Sequence, residues 1–226
     1  MKKIFRILLL VLALVLSASS PLLAADTGAS PDERFRRTFD ARDFRLNQDG
    51  LKYEVPENAA YKIIPRLKNT EIWTHFAVPS EAKSYLEWTV TAIVRGSDGP
   101  AAGVALWGES DGYALYVYPD GKGMLRQYEG KKPVWTKEFS VQSFAYPANL
   151  TILRDANGSV LAKVDDAVVA VKLLDVDVRK PKTTDVVSAS FATRRAGGRD
   201  GASASYERLD VEGWGTRDVS RLFENR

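Results

Sequence analysis

Two short acidic pairs are the first residues in this chain that could do chemistry. Glu109-Ser110-Asp111 places two carboxyl groups at alternate positions, and Asp175-Val176-Asp177 repeats that spacing. Paired carboxyl groups hydrolyse a glycosidic bond when they stand about 5–9.5 Å apart across it. Carboxylates in greater number hold Ca²⁺, which takes six to eight oxygens. Neither pair completes such a set: Glu109 to Asp111 falls in a turn before an apolar strand, and two carboxylates at 175 and 177 make no calcium cage. Both read as surface loops. His75 is the single histidine. A Ser-His-Asp triad would have to use it, but no Gly-x-Ser-x-Gly elbow supplies a nucleophile, and the common zinc sites take more than one His. The chain has no cysteine, which removes thiolate metal sites, Cys nucleophiles and disulfides. The glycines of Arg194-Arg195-Ala196-Gly197-Gly198-Arg199-Asp200-Gly201 could cradle an anion, but the Gly-Lys-Ser/Thr end of a phosphate loop is missing. This stretch reads as a mobile connection between two long strands. No catalytic residue, metal or cofactor is assigned.

The aromatic side chains are more informative. Tyr116 and Tyr118 fall on one face of a strand, opposite Tyr113, Leu115 and Val117, and Arg126 and Tyr128 share one face of the next strand. Trp107 and Trp135 lie close in sequence. Sugars offer flat C–H faces to aromatic rings and hydroxyl groups to Arg, Asp and Asn. A face bearing Trp107, Tyr116, Tyr118, Arg126, Tyr128 and Trp135 therefore suits a carbohydrate or other small polar ligand. Aromatic residues are also simply enriched in strands.

These residues depend on a sheet to position them, and the chain reads as β-structure throughout its body. Candidate strands are 51–55, 61–64, 71–78, 85–95, 102–107, 113–118, 123–129, 134–139, 149–154, 159–164, 167–172, 186–192 and 202–211. Their spacing is that of sandwiches and barrels. The stretch 85–95 alternates most plainly: Leu86, Trp88, Val90, Ala92 and Val94 point one way, and Glu87, Thr89, Thr91 and Arg95 the other. Pro119-Asp120-Gly121, Asn157-Gly158 and Asp165-Asp166 supply tight turns. Thr216–Asn225 carries the signals of a short terminal helix, with Thr216 as N-cap. The expected fold is all-β, a two-sheet antiparallel jelly-roll sandwich.

The N-terminus reads as a secretory signal peptide: Lys2, Lys3 and Arg6, then an apolar run over 7–16, then Ala24-Ala25 as the cleavage point. That run is short of the roughly 20 residues a membrane span needs, so no stable membrane anchor is expected after cleavage. Residues 1–24 are the signal, 25–34 a flexible leader, 35–215 the sandwich and 216–226 a tail or short helix. Losing Lys2, Lys3 and Arg6 takes the formal net charge from +3 to zero. A neutral chain has no strong pull on phosphate backbones, which argues against nucleic acid as a partner. A periplasmic or secreted bacterial protein is expected.

The order of features over 85–215 resembles the concanavalin A-like lectin/glucanase jelly roll, and within it laminin-G-type and keto-disaccharide hydrolase-like domains. The resemblance rests on Gly103-Val104-Ala105-Leu106-Trp107, Gly112-Tyr113-Ala114-Leu115, Pro119-Asp120-Gly121, Trp135, Asn149-Leu150-Thr151-Ile152 and Leu209-Asp210-Val211-Glu212-Gly213-Trp214. It implies two curved sheets, one concave and often used to hold sugars. Laminarinase-like members carry Glu-x-Asp-x-Glu on one strand; here Tyr113 stands in the third acidic place. The leading expectation is an exported, non-catalytic glycan- or sugar-binding module. The alternatives are a glycoside or keto-disaccharide hydrolase, with Asp111 and Glu109 as first candidates, and an envelope domain that meets a partner protein.

Overall fold

The computed structural model describes residues 34–40, 51–54, 61–78, 85–156, 158–173 and 186–216. Signal, leader up to residue 33, the acidic pair at 175 and 177 and the terminal segment 217–226 lie outside the described residues. Fourteen strands are found among those described: β1 (Arg34–Asp40), β2 (Leu51–Glu54), β3 (Tyr61–Pro65), β4 (Thr70–Ala77), β5 (Tyr85–Ser97), β6 (Ala101–Gly108), β7 (Asp111–Val117), β8 (Lys122–Glu129), β9 (Lys132–Ser140), β10 (Ala148–Arg154), β11 (Val160–Val164), β12 (Ala167–Lys172), β13 (Val186–Arg195) and β14 (Ala204–Thr216). Thr216, read from sequence as a helix cap, is the last residue of β14.

The strands form two antiparallel sheets. The larger runs β12-β11-β10-β5-β14-β3-β2, with β1 also on β14; the smaller runs β4-β13-β6-β7-β8-β9. This is an all-β jelly-roll sandwich with no helix among the described residues. Its centre is the alternating strand seen in the sequence. Ala92 of β5 lies opposite Leu150 of β10 and Leu209 of β14, and Val90 opposite Ile152 and Val211. Such same-face pairs set the register, because a slip of one residue would turn every apolar side chain to the wrong side.

The two sheets bury their facing sides against each other. Trp88, Val90 and Val94 of β5 meet Val104 and Leu106 of β6, Leu115 and Val117 of β7 and Phe191 of β13 in one buried cluster. Phe191 stacks on Tyr206 with ring centroids 4.4 Å apart. The Tyr206 hydroxyl is buried but fully engaged: it donates to the Ala192 carbonyl at 2.6 Å, accepts from the Gly103 N–H at 3.2 Å and lies 2.8 Å from Thr193 Oγ1. Buried polar groups survive only with partners of this kind.

The turns expected at Pro119-Asp120-Gly121 and Asp165-Asp166 sit where the strands need them, and Asn157 of the third lies outside the described residues. Gly121 joins β7 to β8 at φ 79°, its N–H donating to the Tyr118 carbonyl at 2.9 Å; a Cβ there would lie 2.4 Å from the Val141 oxygen. The Arg194–Gly201 stretch differs from expectation. Arg194 and Arg195 belong to β13 and point to opposite faces. Arg195 turns inward and is 1% exposed. Its guanidinium donates to the carbonyls of Pro65 and Arg66 and to those of Gly197, Gly198 and Arg199, and pairs with Asp200 at 2.6 Å. A buried cation with that many acceptors ties the loop down, so the glycine-rich connection is anchored.

Candidate functional site

The outer face of the smaller sheet is built by the residues that alternate with the core. From β4 it takes Glu71, Trp73 and His75; from β13 Ser188, Ser190, Ala192 and Arg194; from β6 Ala101, Gly103, Ala105 and Trp107. From β7 it takes Ala114 and Tyr116, and from β8 Met124, Arg126 and Tyr128. The middle strands contribute mostly Ala, Gly and Ser. Large side chains from the flanks lie across this low floor, and they form a second buried cluster on the far side of the sheet from the core.

Glu71 ties that cluster together. Its Oε1 accepts from Arg126 Nη1 at 2.5 Å and lies 3.2 Å from Arg194 Nε, and its Oε2 accepts from the Tyr128 hydroxyl at 2.8 Å. Glu71 is on β4 and Arg126 on β8, four strand steps away, which is ~19 Å across a flat sheet. The contact is made because the sheet curves, with this face concave. Trp73 Nε1 donates to the Tyr116 hydroxyl at 2.8 Å, and the rings of Trp73 lie edge-on to Trp107 (5.0 Å) and Tyr128 (5.5 Å). Arg194 also bonds the Tyr118 hydroxyl.

Burial governs the ionisation of these groups. It drives the Tyr116 hydroxyl well above its ordinary value, with the Tyr128 and Glu71 neighbours adding to the rise. Tyr128 is raised by burial and by the Glu71 charge. Burial works to lower Arg126, but Glu71 and the two tyrosines hold it above its ordinary value. Tyr113, on the core face, is pushed up to about 12 by burial and by Asp111.

Five of the six residues singled out from the sequence, Trp107, Tyr116, Tyr118, Arg126 and Tyr128, meet on this face. Their expected use does not follow for all of them. Tyr116 and Tyr128 are 0% exposed and Trp107 is 8% exposed, so these rings are covered by one another and by Trp73, and offer no open face for a sugar to stack on. Alternation correctly put them on one side, but it carries no information on what crosses above. Trp135 is elsewhere. It pairs with Gln127, which alternates with the outward Arg126 and Tyr128, so it turns to the sandwich side and packs on the core, with Lys172 Nζ 5.2 Å from its ring. Glu71, Trp73 and Arg194 were missed, although Glu71, Trp73 and His75 show the period-two spacing that puts them on one face.

Tyr118 reaches the open part of the face. It lines a groove of about 590 Å³ with Pro119 and Asp120 of the β7–β8 turn, Lys122 and Met124 of β8, Glu138 and Phe139 of β9, and Gly99 and Ala196. Asp120 and Lys122 pair at 3.0 Å. The groove thus offers the Tyr118 ring, carboxylate acceptors and an ammonium donor together, while the Phe139 ring, opposite Gly123, packs toward the core. At the other end of the sheet, His75 Nδ1 lies 3.3 Å from Ser188 Oγ and 3.2 Å from Ser190 Oγ. Glu109 is exposed in the β6–β7 turn, and Asp111 falls on the same side as Tyr113. No group of His, Asp and Glu among the described residues could hold a metal ion, and no helix among them is long and apolar enough to cross a membrane.

No family model matches the chain, and no curated protein matches it. Some solved structures are remotely similar to it. A protein of unknown function from Shewanella oneidensis MR-1 is 12% identical with a TM-score of 0.49, covering 86% of this chain and 96% of its own. A transglycosylase solved in complex with NAG is 12% identical with a TM-score of 0.49, covering 80% and 85%. A legume lectin-like domain from Entamoeba histolytica is 12% identical with a TM-score of 0.44, covering 80% and 90%. What the chain itself shows is an all-β sandwich of two antiparallel sheets.

Proposed function

We propose that the protein is an exported module that binds a polyhydroxylated ligand, a glycan segment or sugar, in the groove at Tyr118, and releases it unchanged. The observation that carries this reading is the composition of the groove. A volume of about 590 Å³ lies within the range of small-ligand sites, which are mostly apolar with a few placed polar groups. Met124 supplies apolar surface, Tyr118 a ring with a hydroxyl, Glu138 and Asp120 acceptors, and Lys122 a donor. Hydroxyl groups, which both donate and accept, meet both kinds of partner there. The basic start and apolar run of the first sixteen residues support export.

Binding without turnover is favoured over hydrolysis by the state of the carboxylates: in the groove Asp120 is paired with Lys122 at 3.0 Å, which leaves Glu138 without a second unpaired carboxylate beside it. Both oxygens of Glu71 are already taken by Arg126, Arg194 and Tyr128. Glu109 and Asp111 stand at the start of β7, a strand length of ~20 Å from the groove at its other end. Titration calorimetry of the mature domain against neutral and acidic oligosaccharides and cell-wall fragments tests the reading. Glu138→Gln, at an exposed position, is expected to weaken binding about tenfold, the value of one hydrogen bond to a charged group. No heat with any glycan, or the same affinity in the Glu138 variant, overturns it.

A further inference from the structure

Three charged side chains line the groove at Tyr118: Asp120, Lys122 and Glu138. Two of them satisfy each other. Lys122 Nζ lies 3.0 Å from Asp120 Oδ2, and Asp120 Oδ1 accepts the Lys122 backbone N–H at 3.1 Å. Glu138 is exposed on β9, opposite Met124 of β8, and its carboxylate has no ion-pair or hydrogen-bond partner among the described residues. Other charges nearby are turned away or engaged. Lys137 stands opposite the core residue Leu125, so it alternates to the other side of the sheet. Arg126, diagonal to Glu138 on β8, reaches the other way, to Glu71 at 2.5 Å. Arg194 bonds Glu71 and the Tyr118 hydroxyl. These two guanidinium groups share one carboxylate, but they are at most 20% exposed and neither lines the groove. Beyond Gly99, Asp98 and Arg199 pair at 3.3 Å.

The hydrogen-bonding capacity left over in the groove is therefore lopsided. On the donor side, Lys122 keeps the N–H groups that Asp120 does not take. Tyr118 keeps its hydroxyl proton, because a guanidinium can only donate and so uses the hydroxyl oxygen as acceptor. On the acceptor side stand both oxygens of Glu138 and the remaining lone pairs of Asp120. The charge leans the same way: two carboxylates against one ammonium give the lining a net charge of −1. Sugar hydroxyls donate and accept alike, so they leave that excess of acceptors and its charge in place. An ammonium group only donates and carries the opposite charge, and its hydrogen bond to a carboxylate is of the stronger, charge-assisted kind. The Tyr118 ring works in the same direction, since an aromatic face attracts a cation. We propose that the groove takes an amino sugar whose nitrogen is free, with the ammonium group seated on Glu138. This rests on the groove being a sugar site and names the class of sugar.

The test uses three β-1,4-linked trisaccharides that differ only in the group on the second ring carbon. Cellotriose carries a hydroxyl there, the glucosamine trimer an ammonium and the N-acetylglucosamine trimer an acetamide. Each is titrated into the full mature chain by calorimetry at pH ~6, where a simple amine is protonated. The glucosamine trimer is expected to bind about fivefold tighter than cellotriose, the upper end for an exposed ion pair. That preference is expected to shrink when salt is raised from about 0.05 M to about 0.5 M. Glu138→Gln, at an exposed position, is expected to bring the two affinities together, and the ratio isolates the charge from any hydrogen bond that both sugars lose. Equal binding of the three trimers, tighter binding of the acetylated trimer or of cellotriose, or a preference that survives Glu138→Gln overturns the proposal and leaves the groove a sugar site. No heat from any of the three overturns it too, and the wider panel of oligosaccharides and cell-wall fragments then decides whether the groove binds sugar at all.

Discussion

Replacing Glu71 by Gln tests whether the outer face is held by one carboxylate. In the native protein Glu71 accepts from two guanidinium groups and a hydroxyl. The three charged side chains are 15–20% exposed. Gln keeps the shape and one acceptor but removes the charge, so Arg126 and Arg194 lose their counter-ion in a poorly hydrated place. Removing one partner of a fully buried pair costs about 3–5 kcal/mol. Residual exposure here lets water take up part of that, which brings the expectation to about 2–3 kcal/mol. In a domain of this size that lowers Tm by about 4–12 °C and shifts the urea midpoint by about 1 M. The double variant Glu71→Gln/Arg126→Met gives the sharper reading. Arg126→Met alone should destabilise, because Glu71 loses a partner; in the Glu71→Gln background it should stabilise, because it removes a stranded cation. Urea unfolding of the four proteins of this cycle measures the coupling directly. A loss under about 0.5 kcal/mol for Glu71→Gln, or simple addition of the two single effects, would show that the carboxylate does not organise this face.

Two further outcomes follow from the same surface. Gly112 faces the ring of Trp107, and a Cβ placed there would lie 2.0 Å from its Cε3. Gly112→Ala should therefore expel the indole, costing about 1–3 kcal/mol as overpacking does, with a red shift of tryptophan emission; unchanged emission would mean that Trp107 does not rest on the glycine. The lowered His75 value means the folded protein disfavours the imidazolium, so its contribution is intact above the ordinary value of 6.5 and is lost as pH falls toward and through the folded value. Urea midpoints of wild type and His75→Gln should agree near pH ~7.5 and diverge below pH ~6.5, wild type falling further. A wild type that gains on the variant with acidification would contradict this.

How much of this was legible in the sequence depends on the range over which each feature is encoded. Thirteen of the strands follow from alternation and turn residues within a dozen positions of each other, and β5 is the plainest. β1 was missed because Arg34-Phe-Arg-Arg-Thr-Phe-Asp sets its two phenylalanines among charges and shows no strong apolar face. It is a strand because β14 supplies a partner along its whole length and because Phe39 closes on Phe76 at 4.5 Å. The site divides in the same way. That Tyr116 shares a face with Arg126 and Tyr128 is a local fact, fixed by a period of two and a short hairpin. That Glu71 and Trp73 lie over them is not local. It requires β4 to pair with β13, more than a hundred residues later, and β13 and β6 to carry Ser190, Ala192, Gly103 and Ala105 where bulk would have blocked the crossing. Small residues in strands read from sequence as weak strand formers. In the folded chain they are what allows the flanks to meet above the sheet. They decide that the tyrosines found by alternation are sealed, while Tyr118, beyond them, borders the groove.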